Sequence, residues 1–302
     1  MGIRRMSTSN LPDELTSGQR SRKINKRLVL VLMLSSILIL FGSIPLTSLS
    51  YLGKSPNPIH PETYVALHNV NSMPNHTLTP MPTAIPTQVR IHAPMLNYPL
   101  FNGNTHIREI ALTFDDGPNP YYTPQILTIL QQFGVKATFF DVGYLVADYP
   151  NIVRQEYHQG NIVGNHSWSH PVLTYFSAQG IKSQLTSTTN IIQATIGVRP
   201  SFFRPPYGAI NNTVLAQARN LHYTTVLWDG SSADWNLPGV NAIVSRIVHY
   251  ARNGAILLLH DGGGNRAQTV TALPIIIATL KSRGFKFVTI QQLVDDLVAP
   301  SS

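Results

Sequence analysis

Two adjacent carboxylates, Asp115 and Asp116, close an apolar run and lead into Gly117-Pro118. Adjacent acids repel unless something positive separates their roles, and a cation does that well. Asp-Gly-Pro is also ordinary turn chemistry, in which Asp oxygens cap nearby N–H groups, so the pair alone leaves both readings open. Further along, His166 and His170 follow the apolar stretch Ile162–Gly164. Two imidazoles four apart converge on one ion where the segment coils, and are equally able to be surface residues. The spacing is that of a zincin helix, but no Glu stands between them to serve as base. Taken with the Asp pair, they complete a His-His-carboxylate set with open positions for water and substrate. The chain has no Cys, so thiolate ligands and disulfides are excluded and any metal must use His and carboxylate.

Three more segments carry candidate chemistry. Arg204 precedes Pro205-Pro206-Tyr207; the prolines stiffen the segment and lack N–H groups, so Tyr207 supplies the first backbone donor after the arginine. Arg204 is able to orient a carboxylate through its planar fork, or to stand solvated on a Pro-stiffened loop. Asp234-Trp235 places an aromatic wall beside an acid, which suits the apolar face of a pyranose; a core Trp is the plain alternative. Leu257-Leu-Leu-His260-Asp261 delivers a histidine at the end of a buried run. It is either a satisfied core residue or a general acid tuned by a carboxylate such as Asp234.

What positions these residues is an alternation of strand and helix patterns that begins after Asn104. Strands are expected at Ile110–Phe114, Ala137–Val142, Ile162–Gly164, Phe202–Arg204, Thr224–Trp228, Ala255–His260 and Phe285–Ile290. Helices are expected at Thr123–Phe133, Asn151–His158, Ala178–Ile196, Asn212–Asn220, Val240–Arg252 and Thr269–Arg283. Such alternation implies an α/β fold of parallel strands joined by right-handed crossovers; seven strands with intervening helices suit a distorted (β/α)7-type barrel better than an open sheet, and periodicity alone does not decide between the two. Chemistry in such folds collects at the C-terminal ends of strands, where every segment above falls.

The N-terminal third reads differently. Residues 1–27 form a basic tail, with seven Lys/Arg against Asp13 and Glu14. Residues 28–50 carry an uncharged apolar run, Leu28–Ile44, long enough to span a hydrocarbon core. The basic flank predicts a single-pass cell-membrane protein with its C-terminal part outside, or a secreted one if cleavage occurs near Ser48-Leu49-Ser50. Residues 51–104 are rich in Pro, Thr, Asn and Ser and read as an extracellular linker; residues 105–302 are expected to form the domain that carries the candidate chemistry. The net charge of +8 is concentrated in the tail. From Thr105 onward 13 basic residues face 11 acidic ones, so no nucleic-acid partner is expected.

The five segments, in this order from about Glu109 to Val298, resemble the polysaccharide deacetylases of the NodB-homology type, carbohydrate esterase family 4. The resemblance implies Asp115 as base, Asp116, His166 and His170 as metal ligands, and Arg204 orienting the base. It further implies Tyr207 N–H as oxyanion donor, Asp234 and Trp235 as the pair that tunes the histidine and lines the pocket, Leu258 as the acetyl-pocket residue and His260 as general acid. The implied cofactor is a divalent metal, zinc first, with cobalt or nickel tolerated. The implied substrate is an acetylated polysaccharide, with peptidoglycan N-acetylglucosamine the simplest candidate beside a membrane. Chitin oligomers, O-acetyl xylan and a non-catalytic carbohydrate-binding role are the alternatives. One departure is visible: Ser231 stands where many members carry an acid, and Asp229 lies nearby at a different spacing.

Overall fold

The computed structural model describes residues 94–299. The expected basic tail, the apolar 28–50 segment and most of the Pro-rich linker lie outside the described residues. Eight strands are present among the described residues: β1 (Glu109–Gly117), β2 (Thr138–Asp141), β3 (Ile162–Asn165), β4 (Phe202–Phe203), β5 (Thr224–Thr225), β6 (Gly230–Ser231), β7 (Ala255–His260) and β8 (Lys286–Val288). The helices are α1 (Thr123–Gln132), α2 (Gly143–Asp148), α3 (Pro150–His158), α4 (Ala178–Ile196), α5 (Asn212–Asn220), α6 (Val240–Tyr250), α7 (Ala267–Ser282) and α8 (Ile290–Val298).

All the strand pairings are parallel, in the order β5-β4-β3-β2-β1-β7-β6, with β8 added along the first residues of β1. The result is a curled half-barrel. Its two end strands, β5 and β6, are neighbours in sequence, and Leu100 bridges Val226 just beyond β5 while Asn102 bridges Ala255 of β7. The sequence called for seven strands. It missed β6 and α2, which have too few residues to establish a period, and α8, whose first residue was taken into the strand expected at Phe285–Ile290.

Along β7, Ala255, Leu257 and Leu259 belong to the outer core beneath α1, α6 and α7, whereas Ile256 belongs to the inner core. The inner core also holds Ala111, Phe140, Phe202 and Val226, and α8 closes it with Ile290, Leu293 and Val294. Because successive strand residues face opposite ways, Leu258 and His260 share the inward side with Ile256. The interior is thus plugged with apolar groups at one end, and the inward residues at the other end are left to form a site.

The expected single-pass membrane placement requires correction. No helix among the described residues is long and apolar enough to cross a membrane. The longest, α4, has 19 residues but carries Lys182, Gln184 and several Ser and Thr, and α7 has only 16, roughly 24 Å at 1.5 Å per residue. The apolar run on which the placement rested is outside the described residues.

Candidate active site

β1 delivers both acids, and it does so through an irregularity. Neighbouring residues on a regular strand point to opposite faces, which would send Asp115 and Asp116 apart. Instead the register with β2 shifts between Asp115 and Gly117, and Asp116 adopts φ 71°. A bulge of this kind re-aims a side chain. Both carboxylates consequently reach His166: Asp115 Oδ2 lies 3.8 Å and Asp116 Oδ1 3.4 Å from its Nε2. The turn after β7 is pressed against the bulge so tightly that a Cβ on Gly262 would sit 1.7 Å from the Asp116 carbonyl oxygen.

The two histidines are carried by an irregular coil after β3, not by a helix. Asn165 Oδ1 accepts from Ser167 N, Ser167 Oγ accepts from His170 N, and Gln184 Oε1 accepts from the amides of Trp168 and Ser169. Ser167 and His170 both have positive φ, 67° and 57°. For residues other than Gly this costs on the order of 1–3 kcal/mol each and persists only where surrounding bonds enforce it. The coil brings His170 Nε2 to 3.0 Å from Asp116 Oδ1.

Whether these groups fit a cation is decided by their lone pairs. His166 Nδ1 lies 2.7 Å from the Arg204 carbonyl oxygen, and only a proton on Nδ1 makes that a hydrogen bond, so in the neutral imidazole, the form a cation selects, Nε2 keeps its lone pair facing inward. Asp116 Oδ1 is buried and has no hydrogen-bond partner among the described residues. One atom each from Asp116, His166 and His170 lie within 4.8 Å of one another. Converging acceptors of this type repel unless a positive charge lies among them, so the set fits a divalent metal with His and carboxylate ligands. Burial alone would push the Asp116 carboxyl up, but the adjoining His166 and His170 outweigh it and hold it far below the usual carboxylate range. His166 moves the opposite way. Its burial disfavours charge, yet Asp115 and Asp116 raise its pKa above the ordinary value.

Arg204 is wholly buried at the end of β4. Its Nη1 donates to Asp115 Oδ1 and to Thr113 Oγ1, each at 2.7 Å, while Nη2 donates to Leu227 O and Nε to Val226 O. It therefore fixes Asp115 through its guanidinium and His166 through its carbonyl. The first role is implied by the family resemblance; the second has no signal in the sequence. Tyr207 follows at φ 61°, exposed, with its ring edge-on to His170 at 4.6 Å.

On the other side, parallel pairing sets His260 directly beside Asp115. Asp234 Oδ1 lies 2.8 Å from His260 Nδ1, and Asp234 Oδ2 accepts from His260 N and from Thr269 Oγ1. Burial would raise the Asp234 pKa, but His260 and the Thr269 hydroxyl hold it below the ordinary value. Trp235 stands edge-on to the His260 ring at 5.3 Å and is 46% exposed, so it is not a core Trp. Leu258 is buried beneath them. Ser231 Oγ accepts from Ala233 N in the turn that delivers Asp234, and Asp229 turns away to pair with Arg252 at 3.0 Å.

Beneath the site lie three fully buried acids that sequence reasoning passed over: Asp141, Glu156 and Asp261. Burial raises all three, Asp141 to about 7, and the mutual charge of Asp141 and Glu156 adds to the rise of Glu156. Both oxygens of Asp141 and of Glu156 would be without donors if both groups were ionised; a proton held on Glu156 supplies the missing donor. The Thr123 hydroxyl donates to Asp261.

The polysaccharide deacetylase family pattern matches residues 102–226. A peptidoglycan-N-acetylglucosamine deacetylase of Bacillus cereus is 41% identical over 187 residues, 61% of this chain and 87% of that protein. A crystal structure of a peptidoglycan N-acetylglucosamine deacetylase superposes with a TM-score of 0.63 at 36% identity, covering 65% of this chain and 92% of that one. A pseudoenzyme of carbohydrate esterase family 4 from Bacillus anthracis superposes with the same TM-score at 30% identity, over 67% of this chain and 70% of its own. The parallel curled sheet, the order of the five segments and this coverage agree: the chain belongs to the polysaccharide deacetylase family, the NodB-homology members of carbohydrate esterase family 4.

Proposed function

We propose that the protein is a metal-dependent deacetylase that hydrolyses N-acetyl groups of a polysaccharide, with peptidoglycan N-acetylglucosamine as its substrate. The observation that carries this reading is the convergence of Asp116, His166 and His170 within 4.8 Å, with a second carboxylate, Asp115, held alongside by Arg204 at 2.7 Å. The choice of polymer rests on what the similar proteins act on. The catalytic domain is assigned to residues 105–302.

Asp116, His166 and His170 would hold the ion, and this donor set suits Zn2+ while tolerating Co2+ or Ni2+. When bound, such an ion supplies Lewis acidity toward the acetamide carbonyl and lowers the pKa of water. Asp115, aimed by Arg204, accepts the proton of the attacking water. The Tyr207 N–H donates to the carbonyl oxygen as negative charge develops there. His260, with Nδ1 engaged by Asp234, gives a proton through its other nitrogen to the departing amine. Leu258 walls the acetyl methyl, and Trp235 offers an aromatic face to the sugar. Water and the amide are consumed; acetate and a free amino sugar are released.

Acetate release by the full chain from N-acetylated peptidoglycan, chitin oligomers and acetylated xylan, with and without chelator, tests the reading. Chelator-sensitive release from peptidoglycan supports it. Release only from xylan would make the protein an O-acetyl esterase, and no release from any polymer after metal reloading would place it with the family's pseudoenzymes.

A further inference from the structure

Arg204 is held by more than hydrogen bonds. The Phe140 ring covers one side of its guanidinium at 4.2 Å, and the Trp228 ring lies 5.6 Å away. The backbone of the segment that carries Trp228 supplies the carbonyl acceptors of Val226 and Leu227. Aromatic faces attract a guanidinium and do so more strongly where water is excluded. The same indole continues to the next loop. A Cβ on Gly208, whose φ is +65°, would lie 2.8 Å from Trp228 Cη2. The benzo edge of Trp228 therefore rests against the backbone immediately after Tyr207, and only a residue without a side chain permits that approach.

We propose that Trp228 is a positioning residue that sets two separate parts of the site at once. With Phe140 it restrains Arg204, and through Arg204 the orientation of Asp115; with its far edge it supports Gly208, and through Gly208 the left-handed Tyr207 that presents its N–H. Trp228 is not itself one of the groups that converge as proposed ligands. This builds on the deacetylase reading, since it assigns a means of alignment to the residues that reading employs. The sequence offered no cue, because an indole after an apolar strand reads as packing.

The experiment compares wild type, Trp228→Leu and Trp228→Phe as full chains. Trp228→Leu is expected to lower kcat by about 10–100-fold with KM changed less than about threefold, the range for misalignment without loss of binding contacts. Metal content should stay at the wild-type level. Trp228→Phe, which keeps an aromatic face, should recover most of the loss. Thermal unfolding separates misalignment from a reduced folded fraction. A readout independent of turnover is the 15N resonance set of the arginine side chains: wild type should show one ring-current-shifted, slowly exchanging Nε–H from Arg204, lost in Trp228→Leu and largely kept in Trp228→Phe. Wild-type kcat together with an unchanged Arg204 signal in Trp228→Leu overturns the proposal, as does an activity loss that matches the loss of folded protein. If wild type releases no acetate at all, the deacetylase reading fails, and the arginine signal alone then decides whether Trp228 restrains Arg204.

Discussion

Two groups of buried or half-buried acids share this fold and behave in opposite ways. At the rim, Asp116 and Asp234 are pulled below the ordinary carboxylate range by the histidines they face. One layer down and at the far end, Asp141, Glu156, Asp261 and Glu109 are pushed up, Asp141 and Glu109 to about 7, because burial finds little or no cation to oppose it. Burial is the largest influence on every one of them. The sign is decided by whether positive groups are within reach, so the same residue type favours the ionised form beside the histidines in one place and the neutral form as a packing group in another.

The comparison is broken most severely by removing a rim acid or its partner. His166→Ala and Asp116→Ala are expected to lose bound metal, measured by elemental analysis, and at least about 1,000-fold of acetate release, whereas Asp115→Asn should lose comparable activity while retaining metal. Retention of metal by His166→Ala would contradict the ligand set. Chelation of the wild type should likewise abolish release, and adding back Zn2+, Co2+ or Ni2+ one at a time should restore it to different extents. Asp234→Asn comes next: His260 loses the carboxylate at Nδ1, and kcat should fall about 10–100-fold, the usual scale for removing a group that orients a histidine.

The far end provides the smallest and most discriminating effect. Glu109 is buried, and its pKa is raised to about 7 by burial first, then by Asp296, with Lys286 opposing. A raised carboxyl favours the protonated folded state. Its contribution is complete below its unfolded pKa of 4.5 and is lost as pH climbs through about 7. Glu109→Gln should therefore leave stability at pH 4 nearly unchanged and raise it at pH 8 by about 1–3 kcal/mol, read by denaturant unfolding at both pH values. A stabilisation that is equal at both pH values would show that charge is not the cause.

Much of the architecture was legible because β7 and α4 are long enough to declare a period, and the five chemical segments each follow an apolar run. The convergence of those segments was not. Nothing in Thr113–Pro118 announces that Asp116 takes a positive φ, yet without that turn the two acids would face apart. The tautomer-fixing bond from His166 to the Arg204 carbonyl joins positions 38 residues apart through a backbone atom, which residue identity cannot encode. Asp141 and Glu156 escaped notice for a related reason. An acid beside Phe139-Phe140 or within Arg154-Gln-Glu-Tyr looks like a strand end and a solvated helix face, and only three-dimensional packing makes them neighbours.

The bulge at Asp116 carries a lesson for judging relatives of this protein by their alignments. Straightening β1 by a single deletion or a stiffer residue beside Asp116 would leave every acid, imidazole and guanidinium in place while turning one of the two carboxylates outward. A chain altered in that way would pass any inventory of side chains and yet perform no hydrolysis, so silence in this family can arise from backbone shape as readily as from a missing functional group.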